Sequence, residues 1–264
     1  MDLIAPRLYG IGTHHKTGTL WMRAVFRTLA ERTGVAHRTV FPGTGADGLP
    51  ETERAYLFQW SSAFPEALLA RPDIRVLHLI RDPRDVLLSG MRYHLTAGVA
   101  EEPFLHVPRA DLGGATYREH LAALPDDSAR LLFEMGEKHA ETVAAMTAWT
   151  PRRNTIEVRY EDLMADTEGR AFREHLRNLG LLEAEVAIGG EIFLEHALFG
   201  GMADPARRRP RVAAHVTDGG PGRWRRELPL AVARDYARRF GPALVALGYE
   251  THPSDWVEEL RDAA

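Results

Sequence analysis

The loop from Gly12 to Trp21 combines glycine, hydroxyl and basic residues in the order Gly-Thr-His-His-Lys-Thr-Gly-Thr-Leu-Trp. An apolar run precedes it and apolar residues at helical spacing follow it, which predicts a strand, a turn and a helix. Backbone N–H groups at the start of such a helix attract anions, and Lys16, Thr17 and Thr19 add a cation and two hydroxyl donors. The loop therefore predicts a phosphate site.

The spacing within this loop differs from that of a Walker A motif. In a Walker A loop the lysine follows the second glycine, whereas Lys16 precedes Gly18. An ordinary glycine-containing turn with an exposed lysine is the alternative interpretation of the same residues.

A second group of polar residues follows the most apolar run of the chain and begins at Arg81. An arginine at the end of a buried parallel strand lies at the carboxyl edge of the sheet, where folds of this class bind ligands. Arg81 offers a planar guanidinium fork and Ser89, two helical turns later, a hydroxyl, which together predict a second phosphate site. The alternative is a solvated helix start, on which Arg81 and Arg84 pair with the two aspartates of the segment.

Buried strands alternating with helices are expected along most of the chain. Strands are predicted at 8–12, 55–60, 75–80 and 154–160, and helices at 17–29, 83–94, 132–146, 167–179, 183–197 and 232–244. The Gly- and Pro-rich segments 38–48 and 95–115 are predicted to be irregular, the second as a mobile, lid-like loop. This alternation predicts an α/β fold, a three-layer sandwich with a central parallel sheet, in which residues 1–264 form one domain. His78, inside a predicted strand, is expected to be a core residue.

The composition excludes several classes of protein. The absence of cysteine excludes disulfides and thiolate chemistry. A formal net charge of −4 gives no general attraction to nucleic acid, so the arginines within 207–211 predict a ligand-facing or solvated loop. No apolar run is long enough for a bilayer span, and residues 1–6 lack the basic start of a signal peptide. We expect a cytoplasmic protein without membrane or nucleic-acid partners.

The two polar loops, in this order, resemble those of the PAPS-dependent sulfotransferases. The first is similar to that family's K-S-G-T-T-W loop for the 5′-phosphosulfate, and the second to its R-x-P-[KR]-D-x-x-x-S segment for the 3′-phosphate. Further matches follow in family order over nearly the whole chain: Tyr117–His120, Leu131–Met135, Arg159–Leu163 and Gly219-x-x-Gly222-x-Trp224.

The resemblance implies a P-loop NTPase-like fold and transfer of a sulfuryl group from PAPS, with PAP as product, to a hydroxyl or amine of a small-molecule or carbohydrate acceptor. It implies no metal. By the same resemblance, Lys16 contacts the phosphosulfate, Trp21 stacks on adenine and Tyr160 borders that base; a core position on the first helix is the alternative for Trp21. The segment 207–226 corresponds to a C-terminal nucleotide-binding loop. The implied donor-binding residues are Lys16, Thr17, Gly18, Thr19, Trp21, Arg81, Ser89, Tyr160, Gly219, Gly222, Arg223 and Trp224.

The chain departs from the family pattern at three places. The family's catalytic histidine follows the second strand, but residues 58–62 are Phe-Gln-Trp-Ser-Ser. Leu20 replaces a threonine that would donate to the 5′-phosphate. Thr217 and Asp218 stand where the family has two cations beside the 3′-phosphate, so we expect Arg211, Arg223 or Arg225, and foremost Arg223, to supply the missing charge.

A histidine elsewhere is needed if the acceptor proton is to go to an imidazole, whose pKa suits that task near neutrality. His14 and His15 flank Lys16 and are the leading candidates, and His94 is the next. Two other functions stay open. A nucleotide-dependent phosphotransferase would use the same sheet edge, and a non-catalytic PAP-binding protein would explain the missing histidine. The motifs do not indicate the acceptor or the oligomeric state.

Overall fold

A five-stranded parallel sheet forms the centre of the computed structural model, which describes residues 5–41, 43, 53–204, 206 and 219–262. The strand order is β2-β3-β1-β4-β5, and each pairing between neighbours is parallel. The strands are β1 (Leu8–Gly12), β2 (Ala36–Thr39), β3 (Ala55–Gln59), β4 (Ile74–Ile80) and β5 (Thr155–Arg159). The predicted α/β fold with a parallel sheet is confirmed.

The chain divides into two compact units. The sheet unit comprises Met1–Arg81 and Ala148–Arg208, and the helical unit comprises Asp82–Thr147 and Arg209–Ala264. The sheet unit carries the strands together with α1 (Thr19–Thr33), α2 (Glu66–Leu69), α7 (Tyr160–Ala165), α8 (Arg170–Leu179) and α9 (Glu183–His196). The helical unit carries α3 (Pro83–Thr96), α4 (Tyr117–Ala123), α5 (Asp127–Gly136), α6 (Lys138–Ala148), α10 (Trp224–Glu227), α11 (Leu230–Ala246) and α12 (Trp256–Asp262).

The three central strands β1, β3 and β4 are buried along their whole length. Helices cover both faces, which is why these strands are almost continuously apolar. One face packs on α1, α8 and α9 through Phe26, Phe172 and Phe193. The other packs on α2 through Leu68.

One row of residues crosses the sheet near the carboxyl ends of the strands. Gly12 pairs in register with Gln59 on β3 and with His78 on β4, and His78 pairs with Glu157 on β5. Side chains directly opposite each other in a sheet point to the same face, so His78 and Glu157 are neighbours. A Cβ at Gly12 would lie 2.7 Å from the Oγ of Ser62, and the chain therefore needs glycine where β1 enters the loop.

Helix α3 of the helical unit begins as the sequence predicts. Pro83 occupies its first turn, and the Asp82 side chain accepts a hydrogen bond from the N–H of Arg84 at 2.9 Å. Proline suits this position because its missing N–H would have no partner there. The apolar side of α3 packs with α5 and α11 around Leu87 and Met135.

Helices α2, α4, α7, α10 and α12 were not predicted from the sequence, and two of the predictions that were made are wrong. Strand β2 lies at Ala36–Thr39, partly within the segment predicted to be irregular. The predicted long helix at 132–146 is two helices, α5 and α6, which break at Glu137, and Leu132 is exposed rather than on the buried face.

The segment 95–115 is folded on the helical unit. It contains two 3₁₀ turns, Pro103–His106 and Ala110–Leu112, and a bridge joins Pro108 to Thr116. Leu105 is fully buried in the apolar cluster of this unit. Its action as a lid stays a prediction.

Candidate active site

Two left-handed residues shape the loop between β1 and α1: Lys16 has φ 63° and Gly18 has φ 107°. A Cβ at Gly18 would lie 3.1 Å from the Tyr160 ring, so a larger residue would be crowded there. Glycine is also favoured because it adopts a positive φ without strain. Helix α1 then begins at Thr19, and Gly18 offers no capping side chain. The positive helix end and the half-buried Lys16 make this loop suitable for an anion.

The two threonine hydroxyls predicted to donate to phosphate hold the loop together. Thr17 Oγ1 accepts from the N–H of His14 at 2.9 Å and donates to its carbonyl oxygen at 3.0 Å. Thr19 Oγ1 donates to the same carbonyl at 2.8 Å. Their contact with a donor phosphate stays a prediction, and in the structure both hydroxyls fix the conformation around His14.

Arg81, the last residue of the first segment of the sheet unit, is only 4% exposed. One terminal nitrogen donates to the Lys16 carbonyl oxygen at 3.2 Å, and the guanidinium carbon lies 4.3 Å from the centroid of the Tyr160 ring. Its Nε and Nη2 have no hydrogen-bond partner among the described residues. Arg81 is thus hydrogen-bonded to the loop at residues 13–18, called here the lysine loop, and still offers two donors, a combination that suits an oxyanion.

Trp21 lies against the aromatic core of the sheet unit. Its ring stacks on Phe193 with centroids 4.8 Å apart and planes inclined at 24°, and its indole N–H points at the Phe193 carbonyl oxygen. The Tyr160 ring is nearly perpendicular to the indole ring, and the two ring centroids are 6.2 Å apart. One face of the indole is therefore occupied, and the predicted stacking on adenine would use the other.

The loop after β3, where the family histidine is missing, is built around Gln59 and Ser62. Gln59 is fully buried, its side-chain oxygen accepts from the N–H of Ser61 at 2.6 Å, and its Nε2 has no partner among the described residues. Ser62 has φ 55° and donates to the Thr13 carbonyl oxygen at 3.1 Å. Sequence reasoning missed Gln59 as a site residue; a polar residue ending a buried strand was the available signal.

His14 and His78 form a buried pair in the sheet unit. Their Nε2 atoms are 2.8 Å apart, and His78 Nδ1 lies 3.2 Å from an oxygen of Glu157. Burial lowers the pKa of His14 to about 3, with a smaller contribution from His78, so His14 is neutral at physiological pH. The expectation that His78 is only a core residue is incomplete, because its ring connects the lysine loop to a carboxylate on β5. Its signal was a single polar residue within an apolar strand.

Of the predicted nucleotide-binding loop, the structure describes the residues from Gly219 onward. This part of the loop is hydrogen-bonded to α3 within the helical unit. Asp85, buried on α3, accepts from the N–H groups of Gly222 at 2.6 Å and Trp224 at 3.0 Å. Arg84 lies 3.5 Å from the Trp224 ring centroid. The alternative of a solvated helix start is correct in pairing Arg84 with Asp82, since Nη2 of Arg84 lies 2.8 Å from Oδ2 of Asp82. It is wrong about solvation, since Asp82 and Asp85 are both buried.

The three arginines proposed to replace the missing cations differ in what the structure shows of them. Arg223 is buried and donates to Glu227 at 2.9 Å, while Arg225 lies over the Trp224 ring at 4.3 Å. Arg211, together with Thr217 and Asp218, lies outside the described residues. A contact between an arginine and the 3′-phosphate stays a prediction.

A second histidine cluster lies in the helical unit. Nδ1 of His94 is 2.8 Å from Oε2 of Glu134, and the Tyr117 hydroxyl donates to the same oxygen at 2.6 Å. All three side chains are buried. His15 and Ser89 are half-buried, in the sheet and helical units respectively. Sequence reasoning did not identify Glu134, although it lies in the matched segment Leu131–Met135.

A model of the sulfotransferase domain matches residues 10–174, more than half of the chain. The chain belongs to the sulfotransferase family, and the resemblance inferred from its motifs is confirmed. A search of curated proteins found no match.

Two solved sulfotransferase structures are similar to the chain to different degrees. A mouse sulfotransferase crystallised with PAP is 13% identical, with a TM-score of 0.56 over 100% of this chain and 91% of that one. A sulfotransferase from Alicyclobacillus acidocaldarius is 14% identical, with a TM-score of 0.41 over 92% and 94% of the two chains. The mouse structure, the one of the two with a TM-score above 0.5, supports the fold, and at 13% identity its likeness concerns the fold alone.

Two searches of the described residues found no candidate. No cluster of three or more histidine or acidic side chains is arranged to hold a metal ion within the parts of the chain that the structure covers. Across those same ranges, no helix has the length and apolar character needed to cross a bilayer.

Proposed function

We propose that the chain transfers a sulfuryl group from PAPS to a hydroxyl or amine of a small-molecule or carbohydrate acceptor. The observation that carries the proposal is Arg81, a buried guanidinium that is bound to the lysine loop and has two nitrogens without a partner among the described residues. A buried donor without a partner costs free energy, and a phosphate oxygen would remove that cost. The residues present therefore fit an anionic nucleotide.

The role proposed for Lys16 follows from the charge that develops during transfer. As the acceptor oxygen bonds to sulfur, the bond between sulfur and the bridging oxygen of the donor breaks, and negative charge accumulates on PAP. A preorganised cation at that oxygen stabilises the transition state more than the ground state. Lys16 lies beside the start of α1, whose dipole acts in the same direction.

The proton of the acceptor hydroxyl needs a base, and we propose His14. The His14 Nδ1 is buried and has no hydrogen-bond partner among the described residues. His15 and His94 are the other candidates. His94 shares its carboxylate partner with Tyr117.

Thermal unfolding in the presence of PAP, ADP or ATP tests the proposal. Selective binding to the folded chain raises its Tm, and we expect PAP to raise it most, without magnesium. Stabilisation by ATP and magnesium alone would favour a phosphotransferase. Stabilisation by PAP without turnover of PAPS over a broad panel of acceptors would favour a non-catalytic binding protein.

A further inference from the structure

Three side chains form a continuous chain from the surface of the sheet unit to the lysine loop. Glu157 on β5 is half-exposed, its side chain being 42% accessible, while His78 on β4 is fully buried. His78 Nδ1 is 3.2 Å from Glu157 Oε2, and His78 Nε2 is 2.8 Å from His14 Nε2. His14 is two residues before Lys16.

The position of each proton in this chain follows from its neighbours. A hydrogen bond from His78, supported by the charge of Arg159, lowers the pKa of Glu157, so the carboxylate is ionised and accepts. Burial lowers the pKa of His78, so that ring is neutral and its single N–H is the Nδ1–H that Glu157 accepts. The His78 Nε2 is then an acceptor, and His14 must donate from Nε2. The lone pair of His14 is left on Nδ1.

We infer that Glu157 and His78 are a proton relay behind His14, and that this relay sets the tautomer in which His14 Nδ1 accepts the acceptor's proton. The inference rests on the proposed sulfuryl transfer. His78 and Glu157 are positioning residues in this scheme, because they act through His14.

The relay solves the problem that a buried imidazolium would create. The acceptor oxygen bonds to sulfur, the bond from sulfur to the bridging oxygen breaks, and the hydroxyl proton passes to His14 Nδ1. The Nε2 proton of His14 moves to His78 Nε2, and the Nδ1 proton of His78 moves to Glu157. Neither histidine keeps a charge in the low-dielectric interior, and the protonated Glu157 at the surface loses its proton to water. After the product leaves, Glu157 takes up a proton from water and the two transfers run in reverse, while the His14 Nδ1 proton passes to water in the emptied site, which restores the starting tautomers.

The cluster around His94 lacks these properties. Its carboxylate, Glu134, is 1% exposed and already accepts from Tyr117. A proton delivered to Glu134 would have no exposed group of that cluster to leave from. The comparison favours the sheet-unit chain as a route for protons.

The first test is ¹⁵N NMR of the full chain labelled at histidine, which needs no substrate. We expect His14 to be protonated at Nε2 and unprotonated at Nδ1, and Glu157→Leu to shift this tautomer ratio. The control Glu191→Leu changes another exposed glutamate of the sheet unit and is expected to leave it unchanged. A His14 protonated at Nδ1 in the unaltered chain would overturn the relay.

The second test is turnover by Glu157→Gln with an aliphatic alcohol and with 4-nitrophenol, an acceptor already largely ionised at pH 8. We expect a loss of roughly 10²-fold for the alcohol and little loss for the phenol, since an ionised acceptor needs no base. His14→Gln should show the same selectivity, and stabilisation by PAP should be unchanged in both variants. Equal losses with both acceptors would assign Glu157 a structural role and overturn the relay. Absence of PAP stabilisation in the unaltered chain would overturn the proposed function, and the tautomer measurement would still decide the proton order.

Discussion

Arg81 and Arg84 belong to one motif and are both buried, yet the two units give them opposite environments. Arg84, in the helical unit, donates to Asp82 at 2.8 Å and to Glu250 at 2.5 Å and packs against two tryptophan rings. Arg81, in the sheet unit, keeps two nitrogens without a partner among the described residues. A buried arginine whose donors all have partners offers nothing further to a ligand, whereas an incompletely satisfied one is suited to bind a ligand.

The two histidine clusters differ in the same way. Tyr117, Glu134 and His94 satisfy one another within the helical unit, and burial next to the Glu134 carboxylate raises the pKa of Tyr117, so its hydroxyl donates. The chain from Glu157 to His14 ends in a nitrogen without a described partner. Of these two clusters, we therefore propose the one in the sheet unit for the reaction and give the one in the helical unit a structural role.

The only two lysines of the sequence, one in each unit, give the largest expected contrast. Lys16→Met should lower the rate of sulfuryl transfer by roughly 10²- to 10³-fold, because a preorganised charge at the leaving oxygen is lost. Lys138→Met removes a lysine that pairs with Glu141 and should retain the rate. Transfer from radiolabelled PAPS measures both, and undiminished turnover by a folded Lys16→Met variant would contradict the role of this lysine.

The contrast between the two arginines predicts a smaller effect on binding. Arg81→Ala should weaken PAP binding by about 1.5 to 3 kcal/mol and AMP binding much less, because a charged hydrogen bond to the 3′-phosphate is lost. Ser89→Ala should follow the same pattern with a smaller loss. Calorimetry measures these affinities, with the exposed Arg153→Ala as control. Equal weakening for PAP and AMP would instead give Arg81 and Ser89 a structural role.

The helical-unit cluster predicts an effect on stability rather than on rate. Glu134→Leu leaves the Tyr117 hydroxyl and the His94 ring without their shared acceptor, at a cost of about 1 to 3 kcal/mol for each buried polar group. Urea unfolding should show the loss, while turnover of the folded fraction is retained. An unchanged unfolding free energy with a large loss of rate would move the general base to His94.

The smallest expected effect concerns pH and is common to both units. Burial lowers the pKa of His14 in the sheet unit and of His139 in the helical unit from 6.5 to about 3. The unfolded chain therefore binds these protons more tightly, so this contribution to stability is full above pH 6.5 and falls as the pH drops toward 3. When the pH is lowered from 7.5 to 5.5, the unfolding free energy of the unaltered chain should fall. In His14→Gln and in His139→Gln this fall should be smaller by about 1 kcal/mol. Urea titrations at both pH values measure it, and identical losses would contradict the lowered pKa values.

Much of the fold could be predicted because its strands are apolar and its loops carry glycine and proline. Strand β2 was missed because its four residues, Ala-His-Arg-Thr, are half-buried or exposed and mostly polar. The break at Glu137 was missed because the apolar spacing continues through it, whereas the backbone there leaves the helical region, with φ −113° and ψ −122°.

The sequence predicts an anion site at the lysine loop and Arg81 because their residue types suggest that chemistry directly, and this site stays a prediction. The contact between His78 and Glu157 could not be predicted, because it depends on register: the pairing of β4 with β5 brings His78 beside Glu157. Spacing along the chain contains no signal for that contact. The partners of Arg84 and Glu134 likewise come from distant segments.

The left-handed backbone conformation of Lys16 lowers the stability of the fold, while the side chain at that position has the role proposed for it in activity. A residue with a side chain at φ 63° carries strain of about 1 to 3 kcal/mol, and Ser62 carries the same kind of strain in the neighbouring loop. Glycine at position 16 would relieve this strain while removing the cation. A laboratory evolution that selects only for thermal tolerance should therefore accumulate glycine at this position and, on the proposed role of Lys16, yield more stable but inactive chains.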